Sequence, residues 1–187
     1  MMIGLVGSAR SGKSSVGKIL CEDYGYTCMP FANAIRRGLL TAFPFLKREY
    51  LYENKDQGIP ELDYVTGRVL LQTMGHEWGR SSIHPDVWIK ALESEINIMR
   101  IDSRRVVIDD VRYRNEIEYI KDQGGVIIGI KRPMKKSIYP EWMDHASENS
   151  LDEDLVDEWI VNSSDLNDLK VMVESVFEHV FDPFVSL

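Results

Sequence analysis

The sequence predicts an α/β fold, a parallel sheet covered by helices on both faces, and three observations predict it. Short apolar runs recur at 2–6, 106–108 and 126–130 without polar alternation, as strands buried on both faces do. Helix-periodic segments stand between them, and parallel strands need such crossovers. A glycine-rich turn joins the first run directly to a helical pattern, as in a strand–loop–helix unit.

The first unit is the most informative. Met2-Ile3-Gly4-Leu5-Val6 reads as a buried strand, and Val16, Ile19 and Leu20 fall on one helix face. Between them "GSARSGKSS" fits G-x-x-x-x-G-K-[ST], with Gly7, Gly12, Lys13 and Ser14 in the fixed places. Glycines let backbone N–H groups curl around an anion, and the helix directs its positive end to the same spot. Lys13 is expected to reach the β- and γ-phosphates of a nucleoside triphosphate, and the Ser14 hydroxyl to be a ligand for Mg²⁺. The signal is silent on where the terminal phosphate goes.

Further along, Tyr26 to Phe31 reads as a second strand and Ala32 to about Thr41 as a helix. The stretch from Pro44 to Pro60 is irregular, with short helices at most. A helix is expected from Thr66 to about Trp78, ended by Gly79, with a loop from Ser81 to Pro85 and another helix from Asp86 to Ile98. Val106-Val107-Ile108 is a strand ending in Asp109 and Asp110, followed by a helix from Asn115 to Gln123. Val126 to Ile130 and Trp159 to Val161 complete the strands, and Asp165 to Val180 is a closing helix. No repeat, linker or domain boundary interrupts the 187 residues, so one domain is expected.

Composition sets limits. The 22 basic and 30 acidic residues give a net charge of −8, which disfavours a broad nucleic-acid surface. Cys21 and Cys28 fall in a helix and a strand and suggest neither a disulfide framework nor a zinc site, but two buried thiols in a reducing cytosol. No signal peptide or membrane span is expected, so the reading is cytoplasmic.

Parallel sheets bind ligands beyond the carboxyl ends of their strands. The glycine-rich loop, the two aspartates and Arg132 all follow strands, and convergence on one edge is expected. A strand ending in Asp beside a phosphate loop suits a metal–nucleotide site, with Asp110 favoured for the metal and Asp109 as the alternative or as a cap of the next helix. Arginines offset clustered phosphates through bidentate hydrogen bonds. Arg36, Arg37, Arg80, Arg112 and Arg132 are the candidates, and Arg132 with Lys135 and Lys136 suits a lid that excludes water. Trp78 and Trp88 are candidates for stacking on a base. Three other patterns fail on a residue or a context. "HEWGR" lacks the second His of a zinc-protease helix, Asn54-Lys55-Asp56 lacks the Asp of a guanine reader, and Asp122-Gln123-Gly124-Gly125 follows a helix instead of a strand.

Together the motifs resemble the bacteriophage deoxynucleoside monophosphate kinases, within the phosphate-loop nucleoside and nucleotide kinases. The likeness runs through the phosphate loop, "PFANAIRR" (30–37), "LLQTMGHEWGR" (70–80), "DVW" (86–88), "DDVRYRNEIEYI" (109–120), "IKRP" (130–133), "HASE" (145–148) and "IVNSSDLNDL" (160–169). Asn33 stands where the family pattern has Asp, and His76 where it has Thr. The resemblance implies a three-layer sandwich with a five-stranded parallel sheet, a helical acceptor region at about 32–100 and a mobile lid at about 132–149. It implies transfer of the ATP γ-phosphoryl group to a deoxynucleoside 5′-monophosphate with Mg²⁺, in the cytoplasm of an infected host, with no nucleic-acid or membrane partner and with a homodimer as the plausible assembly. By that likeness Gly7, Arg10, Ser11, Gly12, Lys13, Ser14, Ser15 and Asn162 contact ATP, with adenine at Asn162-Ser163-Ser164. Arg36, Gln72, Arg80, Trp88 and Arg112 contact the acceptor, and Lys13, Asp110, Arg112 and Arg132 carry the chemistry. Two other readings stay open: another small-molecule phosphate-loop kinase acting on a coenzyme precursor or phosphorylated metabolite, and a non-catalytic nucleotide binder.

Overall fold

A computed structural model describes residues 1–101, 105–133 and 153–181. Two compact units emerge, one formed by Met1–Pro30 with Ile98–Leu187 and the other by Phe31–Asn97.

The first unit is built on a five-stranded sheet. Its strands are β1 (Met2–Val6), β2 (Tyr26–Cys28), β5 (Arg105–Ile108), β6 (Val126–Lys131) and β7 (Glu158–Val161), in the order β2-β5-β1-β6-β7. Every pairing is parallel, with Ile3 opposite Val107, Leu5 opposite Ile128 and Ile130 opposite Ile160. The helices are α1 (Lys13–Tyr24), α6 (Arg114–Asp122) and, closing the chain's described part, α7 (Leu166–Phe181). Ile3, Leu5, Val107 and Ile128 pack with Val16, Ile19 and Leu20 of α1 and with Leu169 and Val173 of α7. Beneath the opposite face, Ile120 of α6 reaches the space over Gly4 together with Ile127 and Val111. Helices therefore cover both faces, which is why β1 is buried at all five positions and carries no polar residue.

The second unit contains α2 (Ala32–Ala42), α3 (Glu49–Tyr52), a two-stranded antiparallel ribbon of β3 (Gly58–Ile59) and β4 (Val65–Thr66), α4 (Gly67–Gln72) and the start of α5 (Val87–Ile101). Thr66 caps α4, its hydroxyl accepting from Val69 N–H at 3.3 Å. Arg68 grips Asp56 with both arms of its guanidinium, at 2.6 and 3.1 Å.

Two expectations are corrected. Gly79 does not end a helix: α4 passes into a π-helical segment, Thr73–Ile83, whose last turn is closed by His84 N–H donating to Gly79 C=O at 3.0 Å. The reason is packing. A Cβ on Gly79 would sit 2.5 Å from the Trp88 ring, so the glycine serves a close approach and not a helix stop. The aspartates do not cap the next helix either. That helix, α6, begins only at Arg114, and Glu116 ties its entry by accepting from the N–H groups of Arg112 (2.7 Å) and Tyr113 (3.0 Å). The β3–β4 ribbon was not anticipated, because two-residue strands leave no periodicity to read.

Candidate active site

The carboxyl ends of all five parallel strands face one edge. β1 sits between β5 and β6, at the point where the strand order reverses, so the loops after these strands are neighbours. The loop after β1 carries the glycine-rich motif. Gly7 (φ 144°) and Gly12 (φ 113°) both take backbone angles that side chains resist, and each is also crowded. A Cβ on Gly7 would collide with the Ile130 carbonyl, and one on Gly12 with the Asn162 side chain. Arg10 is a non-glycine residue at positive φ (64°), so the turn is held by its surroundings. Lys13 opens α1 and folds back, its Nζ donating to the carbonyls of Gly7 and Ser8. Ser14 and Ser15 are exposed, while Ser11 is buried with an Oγ that meets no hydrogen-bond partner among the described residues.

Asn162, just past β7, secures this loop from the side. Its Nδ2 donates to the Ser11 carbonyl at 2.9 Å and its own N–H to the Lys131 carbonyl at 2.7 Å, with the residue only 6% exposed. Sequence reasoning placed Asn162 near a ligand but did not foresee that it braces the phosphate loop. A surface cavity of about 180 Å³ lies beside it, lined by Asn162, Ser163, Ser164, Leu169 and Met172 among others.

After β5, Asp109 lies against α1: a Cβ on Gly17, one turn beyond Ser14, would be 3.3 Å from the Asp109 Cβ. Its carboxylate lies close enough to the Cys28 thiol to act on its titration. That thiol is held well above the ordinary cysteine range, first by desolvation and then by Asp109. Both cysteines are free, Cys21 half-buried and Cys28 exposed by area, so neither is the buried thiol expected. Asp110 and Arg112 are half-buried on the same turn, and Arg132 is exposed immediately after β6. One hydroxyl and neighbouring carboxylates are hard oxygen donors of the kind that hold Mg²⁺, which takes one or two carboxylates and leaves the rest to phosphates and water. The residues fit that ion. Lys135 and Lys136, "HASE" and most of the expected lid lie outside the described residues.

The other expected residues belong to the second unit. Arg36 on α2 donates from Nη1 to Asn33 Oδ1 at 3.0 Å, and its Cζ lies 4.7 Å from the centre of the Tyr52 ring. Gln72 ends α4, half-buried, and Arg80 donates from Nη1 to the Pro85 carbonyl at 2.8 Å. Trp88 is 5% exposed, its Nε1 donates to the Gly75 carbonyl at 2.8 Å and its ring is pressed on Gly79, so it holds the π-helical segment. Trp78, 49% exposed and 6.2 Å from the Trp88 ring centre, keeps ring surface available.

Among the described residues, no helix is long and apolar enough to cross a membrane. A strand–phosphate loop–helix unit beside a second strand that ends in aspartates defines a phosphate-loop kinase fold. Solved structures agree on that class. The chain superposes on dephospho-CoA kinase from Campylobacter jejuni with a TM-score of 0.54 at 15% identity, covering 96% of each chain. Shikimate kinase from Aquifex aeolicus matches with a TM-score of 0.50 at 14% identity over 100% of both. The sequence matches the family model described as deoxynucleotide monophosphate kinase over residues 51–173, and the chain belongs to that family. A curated relative, the deoxynucleoside-5'-monophosphate kinase of Escherichia phage T5, is 28% identical over 156 residues. That match covers 77% of this chain and spans 60% of the relative's length.

Proposed function

We propose that this protein transfers the γ-phosphoryl group of ATP to the 5′-phosphate of a deoxynucleoside monophosphate, giving the diphosphate and ADP. The observation that carries the reading is the braced phosphate loop, with Lys13 at its centre, beside the strand end Asp109-Asp110-Val111-Arg112. Family membership supports a nucleotide as acceptor.

Each residue has a part in this reading. The N–H groups of residues 7–15 cradle the ATP phosphates, and Lys13 leaves its loop carbonyls for the β- and γ-phosphates. Ser14 and Asp110, with Asp109 beside it, would hold Mg²⁺, which would supply charge neutralisation for the phosphates. Adenine enters the cavity beside Asn162-Ser163-Ser164. Arg36, Gln72 and Arg80 hold the acceptor, Trp78 offers it a stacking surface, and Arg112 and Arg132 offset charge on the transferring group. The acceptor oxygen is already anionic at neutral pH, so alignment and electrostatics suffice and no strong general base is required. The setting is the cytoplasm, with no nucleic-acid partner.

Release of ADP from ATP and Mg²⁺, followed with and without added monophosphates, tests the reading. Turnover that depends on a deoxynucleoside monophosphate is expected. Equal ADP release without any acceptor would refute it.

A further inference from the structure

Two arginines of the second unit share one tyrosine ring. The Cζ of Arg36 lies 4.7 Å, and that of Arg48 4.0 Å, from the centre of the Tyr52 ring. Like charges repel, so tethering two guanidiniums to one ring costs free energy unless an anion joins them. Among the described residues neither arginine has a carboxylate within ion-pair distance. Arg36 is fixed instead by the neutral Asn33 side chain, which orients the guanidinium without cancelling its charge. Its Nε is buried and meets no hydrogen-bond partner among the described residues. Arg48 is exposed and, among the described residues, is held by the ring, so its fork is open to a ligand.

We infer that Arg36 and Arg48 form a binding site for one phosphate monoester, with Tyr52 as the platform that holds both forks ready. Guanidiniums take phosphate oxygens in pairs of parallel hydrogen bonds, and stacking on an aromatic face fixes their planes beforehand. Within the proposed reaction the site takes the 5′-phosphate of the acceptor, and to that extent it rests on the nucleotide-acceptor reading. It adds Arg48 and Tyr52 to the acceptor contacts. No local pattern marks them, since they stand in an irregular stretch and only the folded chain sets them against Arg36.

The test is calorimetric titration of the full chain, its phosphate loop filled by a non-hydrolysable ATP analogue. Each deoxynucleoside monophosphate is titrated first, then inorganic phosphate. Arg48→Ala should weaken both probes about tenfold to a hundredfold, as loss of a charged hydrogen-bond pair does. Affinity for the ATP analogue should not change. Arg48→Lys, which keeps charge but not the fork, should recover part of the loss. Tyr52→Phe should bind as the parent does, and Tyr52→Leu should follow Arg48→Ala. Parent-like affinity of Arg48→Ala for inorganic phosphate, or no phosphate binding by the parent, overturns the inference. Failure of every nucleotide to bind while phosphate still distinguishes the variants would overturn the acceptor reading alone.

Discussion

Asn162 and Lys13 both donate to carbonyls of the same loop. The Asn162 amide satisfies the buried Ser11 carbonyl, and losing that partner leaves an unpaired acceptor worth about 1–3 kcal/mol. Asn162→Ala should therefore lower the thermal midpoint and raise the KM for ATP, while the affinity for free acceptor stays at the parent value. Isothermal titration with each ligand separates these effects. Lys13 Nζ donates to the Gly7 and Ser8 carbonyls of its own loop, so its removal should spare the fold. Lys13→Ala should cost about a hundredfold or more in turnover at an unchanged melting temperature. A melting shift as large as that of Asn162→Ala would mean that Lys13 is structural. At Asp110, an Asn substitution should raise the Mg²⁺ concentration needed for half-maximal rate. An unchanged Mg²⁺ titration would assign the ion elsewhere.

Elements differ in how openly the sequence displays them. The β1–loop–α1 unit is legible because its chemistry is local: the glycines, Lys13 and Ser14 lie within eight residues of one another and each has one physical task. The strand ending at Asp109 is legible for the same reason. The π-helical segment is not, since Gly79 looks like a stop signal until Trp88 is seen lying on it. Asn162 carries no local mark of its role, because its partner Ser11 is 151 residues away. At Gly79 a methyl group would meet an aromatic ring with nowhere to move, so Gly79→Ala should destabilise the chain by about 1–3 kcal/mol in a denaturant titration. Trp88→Phe, which removes the bond to Gly75 and the part of the ring lying over Gly79, should also destabilise the chain. On β2, burial pushes the Tyr26 phenol up to about 12 from its usual 10, with Arg105 opposing in part. A raised value stabilises the fold fully below pH 10 and is lost as pH climbs through about 12. Tyr26→Phe should flatten that alkaline loss in melting curves taken across the range.

Across the molecule, parallel pairing gathers the phosphate loop, the Asp109–Arg112 turn, Arg132 and Asn162 at one sheet edge, although the chain separates the first from the last by some 150 residues. The excess of acidic residues does not conflict with anionic ligands, because local charge at a site and not net charge governs their binding. The second unit contributes a separate set of arginines, three of which are engaged by neutral groups or aromatic faces. The phosphate loop and the arginines of the second unit each support the proposed phosphoryl transfer. The most direct test is chromatographic analysis of the products from ATP, Mg²⁺ and a panel of deoxy- and ribonucleoside monophosphates, with Lys13→Ala as control. Deoxynucleoside diphosphate and ADP in equal amounts, absent in the control, are the predicted result. Bound ATP with no diphosphate from any monophosphate would contradict the account.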